Sequence, residues 1–131
     1  MCLSKIEDFP VTQNYGWQVF EEKKTTGELF SCFFGGDPIP VGKWQRDKIR
    51  IFARWIYITR SRKYKTGFHI FLNEEDAKEY CPDSEAYCMR KVRFKRVVVR
   101  GLQEIPCPAG GRIQTRWVEV VVCRKRFVEP N

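Results

Sequence analysis

The sequence predicts an α+β fold: a single domain with a mainly antiparallel sheet of about six strands, curved or partly closed, and one short helix packed on it. Three observations predict it. Period-two runs of β-branched and aromatic residues recur along the chain. One segment, following Asn73, carries both the start and the stop signals of a helix. No internal repeat or low-complexity tract is present.

Residues 1–14 read as an N-terminal arm and 15–131 as the domain. Tyr15-Gly-Trp-Gln-Val-Phe-Glu sets Trp17 and Val19 against Gln18 and reads as a first strand. Lys23-Lys-Thr-Thr-Gly27 is a turn, and Leu29–Phe34 returns as a second strand, so 15–34 form a hairpin. Gly35-Gly-Asp-Pro-Ile-Pro40 is a loop. Glycines there can approach a phosphate, but a proline and no helix follows, so it lacks the usual cradle. Ile49, Ile51, Ala53, Trp55 and Tyr57 fall at period two and suggest a strand over Arg46–Thr59. Arg60–Thr66 is then a basic loop with one aromatic residue, Tyr64.

The stretch from Phe68 to Leu72 is a short run of β-formers, which fits a strand buried on both faces. Gly67 marks its start, a position expected to exclude a Cβ. Asn73 is expected to cap the helix with its side-chain oxygen, and Glu74, Glu75 and Asp76 place negative charge at the positive end of the helix dipole. Ala77 and Tyr80 share the inward face, and Pro82 ends the helix after about two turns.

Beyond the helix, Tyr87–Arg100 puts Val92 and Phe94 on one face and Lys91, Arg93 and Lys95 on the other. The apolar face resumes at Val97 and Val99, one residue out of phase, which predicts a β-bulge at Arg96. Gly101–Arg112 reads as a connection rich in Pro and Gly. Gln114–Val128 reads as the last strand, with Val118, Val120 and Val122 at period two.

Twenty-four Lys and Arg against sixteen Asp and Glu give +8 and a pI near 9.3. That excess favours nucleic acid, acidic protein or an anionic surface as partner; the simpler reading is that it keeps a small aromatic-rich domain in solution. No run approaches the ~18 apolar residues of a membrane span, and the first ten residues lack a secretory core. A cytoplasmic protein is therefore expected, with its six cysteines reduced. Cys32 and Cys123 lie in apolar runs and read as buried thiols, while Cys81 and Cys88 flank a turn that can bring them together. With no C-x-x-C pair and one histidine, no metal and no cofactor is expected. Cys2 has no oxyanion-hole motif near it and is not assigned a catalytic role.

Two constellations remain. His69, the only histidine, sits on a strand end beside a helix, where ligand-binding groups are common; the simpler reading is an imidazole satisfied by a backbone carbonyl. With Tyr80 it makes a candidate nucleotide site. The basic set is Arg60, Arg62, Lys63 and Lys65 with Tyr64, then Lys91, Arg93 and Lys95, then Arg124 and Arg126. Paired as a ribbon, the last two strands would gather these cations into one surface that neutralises phosphates, with Tyr64 or an exposed Trp stacking on bases. The alternative is a solvated outer face that prevents edge aggregation. No acid pair, Ser-His-Asp order, P-loop or dinucleotide fingerprint occurs, so no catalytic residue is assigned.

Tyr15-x-x-x-Val19-Phe20, Pro40-Val-Gly-Lys-Trp44 and Gly67-Phe-His-Ile-Phe with Glu75-Asp-Ala77 resemble small uncharacterised proteins of bacteriophage and prophage genomes. The likeness spans about residues 15–80 and implies a phage origin and a host cytoplasm, with no activity attached. Gly67-Phe-His-Ile-Phe, Glu75-Asp-Ala77, Tyr80 and Val97-Val-Val99 are also similar, in order, to the ADP-ribosyltransferase-like fold. The Glu-x-Glu or Gln-x-Glu turn of that fold is absent; Gln103-Glu104 and Glu119 are nominal substitutes. The expected function is a small basic, phage-encoded protein that binds nucleic acid or an acidic host protein, possible inhibition of a host factor included. The alternatives are an ADP-ribosyltransferase-like nucleotide site near His69 and a structural virion or assembly protein.

Overall fold

Alternation along the strands sets the layers of the molecule. The computed structural model describes residues 3–32, 36–47, 55–58, 63–65, 67–109 and 112–130. In chain order its elements are β1 (Lys5–Ile6), β2 (Tyr15–Glu22), β3 (Leu29–Ser31), β4 (Trp44–Arg46), β5 (Trp55–Tyr57), β6 (Lys63–Lys65), β7 (Phe68–Phe71), α1 (Glu74–Tyr80), β8 (Tyr87–Ala109) and β9 (Arg112–Val128). Seven strands form one sheet, and β5 and β6 form a second. The α+β, mainly antiparallel fold is as the sequence predicts.

The main sheet closes on itself. β8 pairs with β2 on one side and β9 on the other; β7 pairs with β9 and, through Trp17 opposite Phe71, with β2. Gly16 makes that closure possible, since a Cβ there would lie 2.3 Å from the Phe71 carbonyl oxygen. Gly67 plays the part expected of it: its Cβ would meet the Cys123 carbonyl oxygen at 2.5 Å.

One apolar cluster lies inside this ring and a second outside it. Phe20, Ile70, Val92, Phe94, Val121, Cys123 and Val128 draw on all four of its strands and fill its interior. Phe71, Val118, Val120, Val122 and Ile105 face outward under Ala77 of α1, Tyr64 of β6 and Leu3. β7 feeds both clusters, so it is buried on both faces as its composition predicts.

Several expectations are corrected. In the N-terminal arm the described residues begin at Leu3, which is buried, and β1 pairs with Leu102 and Gly101 of β8, so the lead-in is not wholly irregular. Of the strand read over Arg46–Thr59, Trp55–Tyr57 is a strand and pairs with β6, Arg46 closes β4 on β9, and 48–54 and 59 lie outside the described residues. Residues 63–65 of the basic loop are a strand. The Pro- and Gly-rich connection is mostly paired, because β8 runs to Ala109 opposite Arg112. Asn73 makes no side-chain cap; its Nδ2 donates to Asp76 Oδ2 at 3.2 Å, and the Asp76 carboxylate with Glu79 is held by Arg116 of β9. The bulge is present, with the pairing shifted between Val97 and Val99 beside Arg96, whose φ is 58°.

Candidate nucleic-acid interface

Directly opposed residues in an antiparallel sheet project to the same side. The register therefore lines up residues from four distant stretches of sequence. Tyr15 of β2 faces Arg93 of β8, Arg93 faces Phe127 of β9, and Phe127 faces Trp44 of β4. This row crosses four strands on the outer face of the ring. Tyr15 and Trp44, at its ends, are 38% and 41% exposed. Two residues along, Lys95 faces Lys125 and Lys125 faces Arg46, a second row made only of cations. Lys95 and Arg46 are exposed and Lys125 is half-buried.

Charges and rings are packed together here. Lys95 Nζ lies 3.9 Å from the Trp44 ring centre, Lys91 Nζ 4.7 Å from that of Tyr15, and the Arg93 guanidinium 5.4 Å from that of Phe127. The Trp44 and Phe127 rings are 5.6 Å apart. Glu129 brings a carboxylate to Arg93, its Oε1 accepting from Arg93 Nε at 2.7 Å. Lys95, Lys125 and Arg46 make no ion pair among the described residues.

Lys91, Arg93 and Lys95 thus stand together on one outer face, as expected. Arg126 does not join them. It is on the opposite side of β9, 7% exposed, inside the ring. Its Nη1 donates to Gln18 Oε1 and its Nε to Gln45 Oε1, each at 3.0 Å, and its guanidinium lies 4.0 Å from the Phe68 ring centre. Burial pushes its pKa down to about 10. Arg124 is half-buried, with Nε unpaired in the interior, close to Asp47, whose carboxyl burial pushes up against the pull of Arg124 and Arg126.

Lys63 and Lys65 are exposed but lie elsewhere, beside a cavity of about 410 Å³ floored by Ile6, Val98 and Val99. Tyr64 between them is 3% exposed and is not a stacking platform. Arg60 and Arg62 lie outside the described residues.

His69 is 8% exposed and both its nitrogens are engaged. Nδ1 lies 3.1 Å from the Gly67 carbonyl oxygen and Nε2 2.8 Å from the Tyr64 hydroxyl, which also accepts the Leu3 N–H at 2.9 Å. The tautomer that satisfies all three carries its proton on Nδ1. Burial lowers the pKa of His69 to about 4. Tyr80 packs on Phe71 with ring centres 5.2 Å apart. Both residues are on the helix side of the sheet, and the arrangement is that of a structural histidine.

Cys32, Cys81, Cys88 and Cys123 are free thiols, and burial raises the pKa of each, Cys123 to about 12 and Cys88 to about 11. Cys123 is fully buried as expected, Cys32 only half. No group of three metal-ligating side chains occurs among the described residues, and no helix there is long and apolar enough to cross a membrane.

No family model, curated protein or solved structure matches the chain. Tyr15, Trp44, Phe127, Lys125 and Arg46 were not among the residues singled out from sequence. For Lys125 the valines give no signal: Val118, Val120 and Val122 face outward under α1 while Val121, Cys123 and Val128 face into the ring, so the inward side of β9 changes parity after Cys123.

Proposed function

We propose that this protein binds nucleic acid through the outer face of β2, β8, β9 and β4. The observation that carries the proposal is the pair of adjacent rows, Tyr15–Arg93–Phe127–Trp44 and Lys95–Lys125–Arg46. Like charges directly opposite one another destabilise a sheet. A row of three cations without a carboxylate partner among the described residues is a cost to folding that a polyanion removes. Neutralised phosphates release counterions, which supplies sequence-independent affinity. An acidic protein would use the cations equally well, but it has little use for exposed rings beside them. A base does: stacking contributes about 1–3 kcal/mol, against about 0.5–1 kcal/mol for an exposed cation on the same ring. In a host cytoplasm, as the resemblance to small phage proteins implies, phage and host nucleic acid are both within reach of such a face.

The test is binding to labelled DNA and RNA across a salt series. The slope of log K against log salt should be about −2 to −4, corresponding to three or four phosphates. Lys125→Glu and Lys95→Glu should each weaken binding roughly 10-fold or more and flatten that slope by about one phosphate's worth. Absence of binding at ~50 mM salt would overturn the proposal. Polyglutamate binding as tightly as nucleic acid would assign the face to acidic proteins instead.

A further inference from the structure

We infer that the ligand of this face is a single strand lying across the β-strands, its bases on the aromatic row and its phosphates on the cationic row. The inference rests on the nucleic-acid reading above and adds to it the form, the direction and the length of the ligand.

Two parallel tracks define the face. Neighbouring strands are about 4.8 Å apart, so the row from Tyr15 to Trp44 spans about 14 Å. The cationic row lies two residues further along the strands, about 6.8 Å away. A single strand has the same plan, with its backbone on one side and its unpaired bases on the other. A duplex does not, because its bases are stacked and paired inside and show the sheet only phosphates. Rings at both ends of the row, 38% and 41% exposed, would then have no partner.

The row offers three stacking positions. Tyr15 and Trp44 are the outer two, and the planar Arg93 guanidinium over Phe127 is the middle one. In the free protein Lys91 and Lys95 lie over the Tyr15 and Trp44 rings. A base taking the ring displaces the ammonium. Lys95, which belongs to the cationic row, then becomes a phosphate contact, whereas Lys91, on the other side of the aromatic row, swings clear of the ring.

The experiment uses the full chain with oligo-dT and oligo-U of one to eight nucleotides, and a mixed-sequence strand free and annealed to its complement. Affinity should climb steeply to about three or four nucleotides and then rise only as the number of registers does. The free strand should bind at least ~10-fold tighter than its duplex. Tyr15→Ala and Trp44→Ala should each lower single-strand affinity roughly 5- to 100-fold while leaving the salt slope unchanged, and Trp44→Phe should restore most of the loss. Trp44→Leu, which keeps apolar bulk, separates a lost platform from a lost fold, since it should bind as poorly as Trp44→Ala and melt like the parent. Duplex binding as tight as single-strand binding, insensitive to both ring deletions, would overturn the single-strand inference and leave the nucleic-acid reading intact. Absence of binding to every oligonucleotide would overturn both.

Discussion

Arg124-Lys-Arg-Phe127 puts adjacent residues of one strand into opposite environments. Lys125 and Phe127 face out, into the cationic and aromatic rows. Arg126, between them, is held in the ring interior by Gln18, Gln45 and the Phe68 ring, and Arg124 is drawn partly in as well. A basic run in a strand is therefore two populations of charge, separated by parity. The outer ones are available to a ligand and contribute little to folding. The inner one belongs to the core, where its hydrogen bonds offset part of the cost of burying a charge.

The largest expected effect tests that division. Arg126→Ala removes the donor from two glutamine oxygens and leaves a void beside Phe68, so it should destabilise by about 2–4 kcal/mol. Lys125→Ala should change stability by less than about 0.5 kcal/mol, with relief of like-charge repulsion in its favour. Urea unfolding of the two variants measures the contrast. Equal effects would mean that parity does not divide the strand. Arg126→Met sharpens the point, because it keeps the volume without the buried charge and should lie nearer the parent than Ala does.

His69 extends the comparison to β6 and β7, where Lys63 and Lys65 are exposed on either side of the buried Tyr64 that engages it. Its folded pKa, about 4, lies below the ordinary value of 6.5. The unfolded chain therefore binds the proton first. Stability from this group is complete above pH 6.5 and is lost progressively as pH falls toward 4, by about 3 kcal/mol in all. His69→Gln should remove that loss from the pH dependence of unfolding between these limits. An unchanged profile would show that His69 titrates normally in the folded protein and is not buried as described.

Much of the fold was legible because it is written locally. Apolar residues on both parities marked β7, Pro82 ended α1, and the valines fixed the phase of β9. That phase does not carry to residue 126: Val118, Val120 and Val122 lie under α1, whereas Arg126 and Val128 lie inside the ring, because the inward side changes parity after Cys123. Tyr64 was concealed by the lysines on both sides. The interface was not legible for a different reason. Tyr15, Arg93, Phe127 and Trp44 become neighbours only through long-range register, and no local pattern says that β4 pairs with β9 or that Phe127 falls opposite Arg93. The Asn73 cap was lost to a better local offer, the carboxylate of Asp76.

The smallest effect concerns Glu129, the anion paired with Arg93. Glu129 is fixed by its backbone, its N–H donating to the Lys91 carbonyl oxygen at 3.1 Å and its own carbonyl oxygen accepting from Arg90 Nη2 at 2.7 Å. Its side chain then reaches Arg93 in the middle of the aromatic row. A carboxylate there takes the hydrogen bonds that a phosphate would take and adds a negative charge that a polyanion must approach. Because the backbone contacts do not depend on the side chain, Glu129→Gln leaves the residue in place while removing the charge. An exposed pair of this kind contributes at most about 1 kcal/mol to folding, so the thermal midpoint should scarcely move. Single-strand affinity at low salt should rise about two- to five-fold, and the salt slope should steepen by up to ~0.7 as Arg93 takes up a phosphate. An affinity that falls instead would mean that Glu129 positions Arg93 for the ligand, so that the inner and outer charges of this sheet share one role, the orientation of an arginine by its neighbours.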